Sequence, residues 1–114
     1  MTKEQIGALV RGATLYHTLA EGASHGAGVA IFYFDPNGRA AARLPSGKLM
    51  AGVYRVEDGG YVVDWDNGLQ NSRSILAKEG GLLVCRNAVD GQLRSTVERI
   101  MFGDPEDLAG TARA

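Results

Sequence analysis

After Gly28 every link between apolar segments is hairpin-short, and this leaves the chain few ways to fold. Asp35-Pro36-Asn37-Gly38, Pro45-Ser46-Gly47, Asp58-Gly59-Gly60, Asp66-Asn67-Gly68, Glu79-Gly80-Gly81 and Asp90-Gly91 punctuate the sequence. Proline presets φ in such turns, and Asn-Gly or Asp-Gly accepts the positive φ that a tight hairpin needs. Links of this length cannot hold a crossover helix, so successive strands must be antiparallel neighbours. Glycine is 16 of 114 residues, about double the usual ~7%, and it falls at these turns instead of clustering as in a linker.

The segments between turns are rich in Val, Ile, Leu, Tyr, Phe and Thr and read as eight strands. They cover Ala13–Ala20, Gly28–Phe34, Arg39–Leu44, Lys48–Glu57, Tyr61–Trp65, Gln70–Ala77, Leu82–Ala88 and Leu93–Phe102. Only the ends read as helix. Thr2 followed by Gln5, with Ile6, Leu9 and Val10 on one face and Gly12 as a stop, is a short capped helix within residues 1–12. Asp104-Pro105 starts a further turn, and residues 109–114 read as a frayed tail. With 114 residues there is one domain.

An antiparallel meander of this kind has two open edges unless it closes on itself, and closure removes the hazard of exposed strand edges. The expected fold is therefore all-β, an eight-stranded antiparallel up-and-down barrel with a short N-terminal helix. A barrel of that size has room for its own side chains or for one small ligand. Alternation points Gly52, Tyr54 and Val56 inward, and likewise Tyr61, Val63 and Trp65. On the first strand Leu15, His17 and Leu19 share a face. On the last, Arg94 and Glu98 suggest an outward face with Ile100 and Phe102, which leaves Val97, Arg99 and Met101 inward. The second strand is apolar on both faces, so its outer face needs a cover, for which the N-terminal helix is the expected element.

Gly12-Ala13-Thr14, Tyr33-Phe34-Asp35, Asn37-Gly38-Arg39, Gly52-Val53-Tyr54-Arg55-Val56, the run from Gly60 to Trp65 and the closing Gly103-Asp104-Pro105-Glu106-Asp107-Leu108 resemble the small bacterial lipocalin-like (calycin) domains of unknown function. The resemblance spans almost the whole chain and rests on turns and core positions. It implies a small barrel that sometimes binds an apolar or aromatic molecule. It also implies that Arg99, on the last strand, packs across an aromatic ring to close the barrel.

Composition narrows the function classes. The 12 Lys+Arg against 13 Asp+Glu give a formal charge of -1, without the surplus cation that phosphate-backbone binding needs, so nucleic acid is not an expected partner. No apolar run approaches the ~20 residues of a membrane-spanning helix, and Met1–Gly12 is charged where a signal peptide would be apolar. A cytoplasmic location is the default expectation, although an export segment removed from a precursor would leave no trace here. Cys85 is the one cysteine and has no internal disulfide partner. With only His17 and His25 and no ligand-type spacing around either, neither a metal site nor a cofactor is expected. No nucleotide-binding glycine loop or nucleophile elbow occurs.

The candidate site residues are therefore few. His17, sharing a face with Leu15 and Leu19, would project into the barrel as a binding group or as an acid/base; its plain alternative is a hydrogen-bonded interior histidine. His25 lies in the loop between the first two strands, at one barrel mouth. Tyr54, Tyr61 and Trp65 are a candidate aromatic lining, against simple core filling. Arg99 or Arg73, if inward, would meet an anionic ligand group. Three functions fit: a small-molecule binding barrel for an apolar or aromatic ligand that can carry an acidic group; a cofactor-free lyase, dehydratase or isomerase using His17; or a structural or protein-interaction module with a filled interior. A homodimer is expected only if the apolar outer strand face is left uncovered.

Overall fold

A computed structural model describes residues 1–20, 27–66 and 72–113. The strands are β1 (Ala13–Leu19), β2 (Val29–Phe34), β3 (Arg39–Arg43), β4 (Leu49–Glu57), β5 (Gly60–Trp65), β6 (Ser72–Glu79), β7 (Leu82–Asn87) and β8 (Leu93–Phe102). They pair in sequence order, every pair antiparallel, and β8 returns to β1 to close the barrel. The turn chemistry is thus sufficient to set the topology. A helix α1 (Lys3–Val10) precedes the barrel and a short helix α2 (Ala109–Arg113) follows it. No described helix is long and apolar enough to cross a membrane.

Helix α1 closes one end of the barrel. Thr2 and Gln5 form a reciprocal capping box, with the Thr2 hydroxyl accepting from the Gln5 amide at 3.2 Å and the Gln5 side chain accepting from the Thr2 amide at 2.8 Å. Ile6 and Val10 are fully buried and join the main core with Leu15, Phe34, Tyr54, Val56, Tyr61 and Val63. Gly12, at φ 77°, makes the sharp exit into β1. Its amide donates to the Phe34 carbonyl at 2.7 Å. Strand approach is tightest at Gly60, where a Cβ would sit 1.8 Å from the Ser74 carbonyl oxygen.

The element that covers the outer face of β2 is not α1. Tyr33 and Ala41 pack under Leu108 and Ala112, with Ile31 and Ala109 beside them. The expected frayed tail is therefore ordered through Arg113, and it covers the face whose exposure would have pointed to a dimer. Buried Asp35 anchors this segment. It accepts from the Tyr33 hydroxyl at 2.8 Å and from Arg113 at 2.7 Å, and the Arg113 contact holds its carboxyl below the usual range against the opposing effect of burial.

The β8 faces depart from simple alternation because the strand carries two bulges. Tyr16 and His17 are adjacent on β1 but face Arg99 and Val97 on β8, so Glu98 has no partner and the parity beyond it inverts. Val97 and Ile100 both reach the core, whereas Arg99 is exposed on the outside. The second irregularity lies where Cys85 faces Ser95 and Arg86 faces Leu93, leaving Arg94 as the extra residue.

Candidate ligand site

The end of the barrel opposite α1 holds its polar interior. β1, β5 and β7 run toward this end and β6 and β8 start from it, which brings His17, Trp65, Ser72, Ser95 and Arg94 to one region. His17 is only 2% exposed. Its Nδ1 shares a 2.8 Å hydrogen bond with Ser95 Oγ, while Nε2 is buried without a partner among the described residues. Burial pulls its pKa down to about 4 because a charged imidazole there loses its water. At neutral pH the ring is uncharged, and whichever tautomer it adopts, one ring nitrogen is left with an unmet donor or acceptor.

The aromatic wall beside His17 is built around Phe32. Its ring centroid lies 4.8 Å from that of His17 and 6.0 Å from that of Trp65, the latter edge-on. His17 and Trp65 thus share the lumen, bridged by a ring that the sequence leaves undistinguished among the apolar residues of β2. Small inward residues, Ala30 and Ala42, leave width for these rings, with Leu44 and Met50 packed around them.

The other expected lining residues lie deeper. Tyr54 meets Phe34 edge-on at 5.0 Å, and its hydroxyl donates to the Asp35 carbonyl at 2.8 Å. It belongs to the packed end near α1. Tyr61 also packs on Phe34, at 4.9 Å, and its hydroxyl lies 4.0 Å from Cys85 Sγ. Burial, with Cys85 adding to it, pushes the Tyr61 phenol well up, so it stays neutral.

Neither of the two arginines considered for the lumen is there. Arg73 lies on the exposed side of β6 and pairs with Glu57 at 2.8 Å. Arg99 lies outside the barrel, its guanidinium carbon 4.2 Å from the Tyr16 ring centroid, beside the Tyr16–Glu106 hydrogen bond of 2.8 Å. The bulge at Glu98 is what carries it out. The arginine that does turn toward the interior is Arg94, expected outward: its Nη1 donates to Ser72 Oγ at 2.5 Å and to Ser74 Oγ at 3.0 Å. Ser74 faces Tyr61 across the ladder and is buried. No run of polar residues marked Arg94 in the sequence, since its direction depends on a bulge set by pairing with β7.

His25 lies outside the described residues. An open groove of ≈ 690 Å³ flanks the start of β7, where Leu82, Leu83, Thr96 and Glu98 line it, and His17 is not among its lining residues. Among the described residues no group of three potential metal ligands occurs. No protein-family model matches the chain, and no curated protein or solved structure matches it.

Proposed function

We propose that this is a calycin-type binding barrel that takes one small planar aromatic molecule at the end opposite α1, between His17, Phe32 and Trp65. The observation that carries the reading is the unpartnered Nε2 of His17 inside an interior whose other buried polar side chains, apart from Thr18, are satisfied among the described residues. An orphaned buried polar atom costs about 1–3 kcal/mol, and a ligand group that paired with it would recover that loss. Rings held edge-on to one another present both faces and edges to a further ring, the preferred aromatic geometry.

The depressed basicity of His17 favours binding over proton transfer. A base with a pKa of about 4 abstracts protons poorly at neutral pH, and burial disfavours the imidazolium that a general acid would need.

Native mass spectrometry of freshly purified protein, joined to an NMR titration with indole, quinoline and naphthalene followed at the Trp65 indole N–H, tests the reading. Saturable shifts grouped around His17, Phe32 and Trp65 and weakened by His17→Leu are expected. No co-purifying molecule and no saturable shift, or equal shifts in His17→Leu, would overturn it.

A further inference from the structure

We infer that Arg94 is the anion receptor of this site and that the ligand carries a carboxylate. The assignment rests on the proposal of a ligand at this end and adds the chemical class that the site selects. Arg94 differs from the other arginines in its partners: Arg11 and Arg99, which also form no ion pair among the described residues, lie over the rings of Tyr54 and Tyr16. Arg39, Arg43, Arg55, Arg73, Arg86 and Arg113 each pair with a carboxylate, and these pairs lie on the outside of the barrel. The side-chain hydrogen bonds described for Arg94 go instead to two neutral hydroxyls, those of Ser72 and Ser74, and among the described residues no carboxylate forms an ion pair with it.

The direction of the side chain has a structural cause. Arg94 is the extra residue of the second β8 bulge, and a bulge re-aims the side chain it carries. Instead of following the alternation outward, Arg94 reaches past β7 to the inward-facing serines of β6. Both hydroxyls contact the same atom, Nη1. The Nε–Nη2 edge, which binds a carboxylate through two parallel hydrogen bonds, is used by no described side-chain contact. Two serines that hold one nitrogen fix the plane of the fork, so little rotamer freedom remains to be lost when an anion docks.

The neighbours suit an anion on one side and a ring on the other. Ser95, next in sequence to Arg94, bonds His17, and His17 packs on Phe32. A ligand whose carboxylate meets the Arg94 fork and whose ring reaches Phe32 and Trp65 would span the polar and aromatic halves of this end. The preferred class is an aryl or indolyl carboxylic acid.

Acids and amides of matched shape supply the test: benzoate against benzamide, and indole-3-acetate against indole-3-acetamide, with acetate as a ring-free probe. Binding is followed by NMR at the Arg94 Nε–H and the Trp65 indole N–H. Acetate should shift the Arg94 signal saturably. Each acid should bind about tenfold or more tightly than its amide, the preference should vanish in Arg94→Gln, and Arg94→Lys should keep only part of it.

If amides bind as well as acids, the aromatic reading stands and the assignment of Arg94 is wrong. If neither aromatic pair binds while acetate saturates at Arg94, the anion site stands and the aromatic reading falls. An Arg94 signal that acetate leaves unmoved overturns the inference whatever the aromatic probes do.

Discussion

The two ends of the barrel are built on opposite principles. Near α1 the interior is apolar and interlocked, with Ile6, Val10, Leu15 and Phe34 fully buried and the Tyr54 hydroxyl paired with a backbone carbonyl. At the far end the interior carries an imidazole with an unmet nitrogen, a guanidinium held by serines, and rings in edge contact. Phe34 and Ile6, among the largest fully buried side chains, lie at the first end. The second keeps buried polar groups that packing alone would not select, and the proposed ligand site rests on them.

The largest effect that would sharpen this contrast is truncation in the packed end. Phe34→Ala should cost about 3–5 kcal/mol in urea unfolding, because Phe34 is fully buried against Tyr54 and Tyr61. Phe32→Ala, at the far end and only half-buried, should cost clearly less; equal losses would break the contrast.

Acid exposes the polar end next. His17 titrates at about 4 in the fold and near 6.5 in the unfolded chain. Between those values the unfolded chain binds more protons, so the stability this group contributes is intact above pH 6.5 and drains as pH falls toward 4. The loss should total about 3 kcal/mol and disappear in His17→Leu. Asp35 behaves differently: its lowered carboxyl gives up its contribution only as pH falls below the usual carboxylate range. Urea midpoints across pH 3–8 separate the two.

A smaller effect of opposite sign is expected from removing the polar pair altogether. His17→Leu with Ser95→Ala takes away both partners of one hydrogen bond together with the unmet Nε2. It should leave stability unchanged or raise it by about 1 kcal/mol while abolishing ring binding. A loss above ~2 kcal/mol would show that His17 is structural. The smallest effect belongs to the outer arginine Arg73. Arg73→Gln should change unfolding by no more than ~0.5 kcal/mol and leave ligand binding intact by the same NMR titration.

The sequence made the topology readable because turn chemistry is local: Asp35-Pro36-Asn37-Gly38 needs no tertiary partner to form its bend. The faces of β4 and β5 were readable for a similar reason, since charged Arg55, Glu57 and Asp64 mark one side. The β8 faces were not. A bulge exists only relative to the strand alongside, so the outward turn of Arg99 and the inward turn of Arg94 depend on pairing with β1 and β7, far away in sequence. The cover over β2 was hidden for a different reason. Helix α2 has five residues, too few to stand without tertiary support, and it is held by Leu108, Ala112 and the Arg113–Asp35 contact. At the site, His17 and Trp65 were legible as inward residues, whereas Phe32 sat in a strand apolar on both sides and carried no distinguishing signal.

The unpaired Glu98 divides β8 into two reading frames. Deleting that one residue would leave Arg99 opposite Tyr16 and Ile100 opposite Leu15, with both rows in place, because the bulge takes up the extra residue without moving the pairs on either side. A one-residue insertion here is absorbed locally, whereas the same insertion in a fully paired stretch would send every later side chain to the opposite wall of the cylinder.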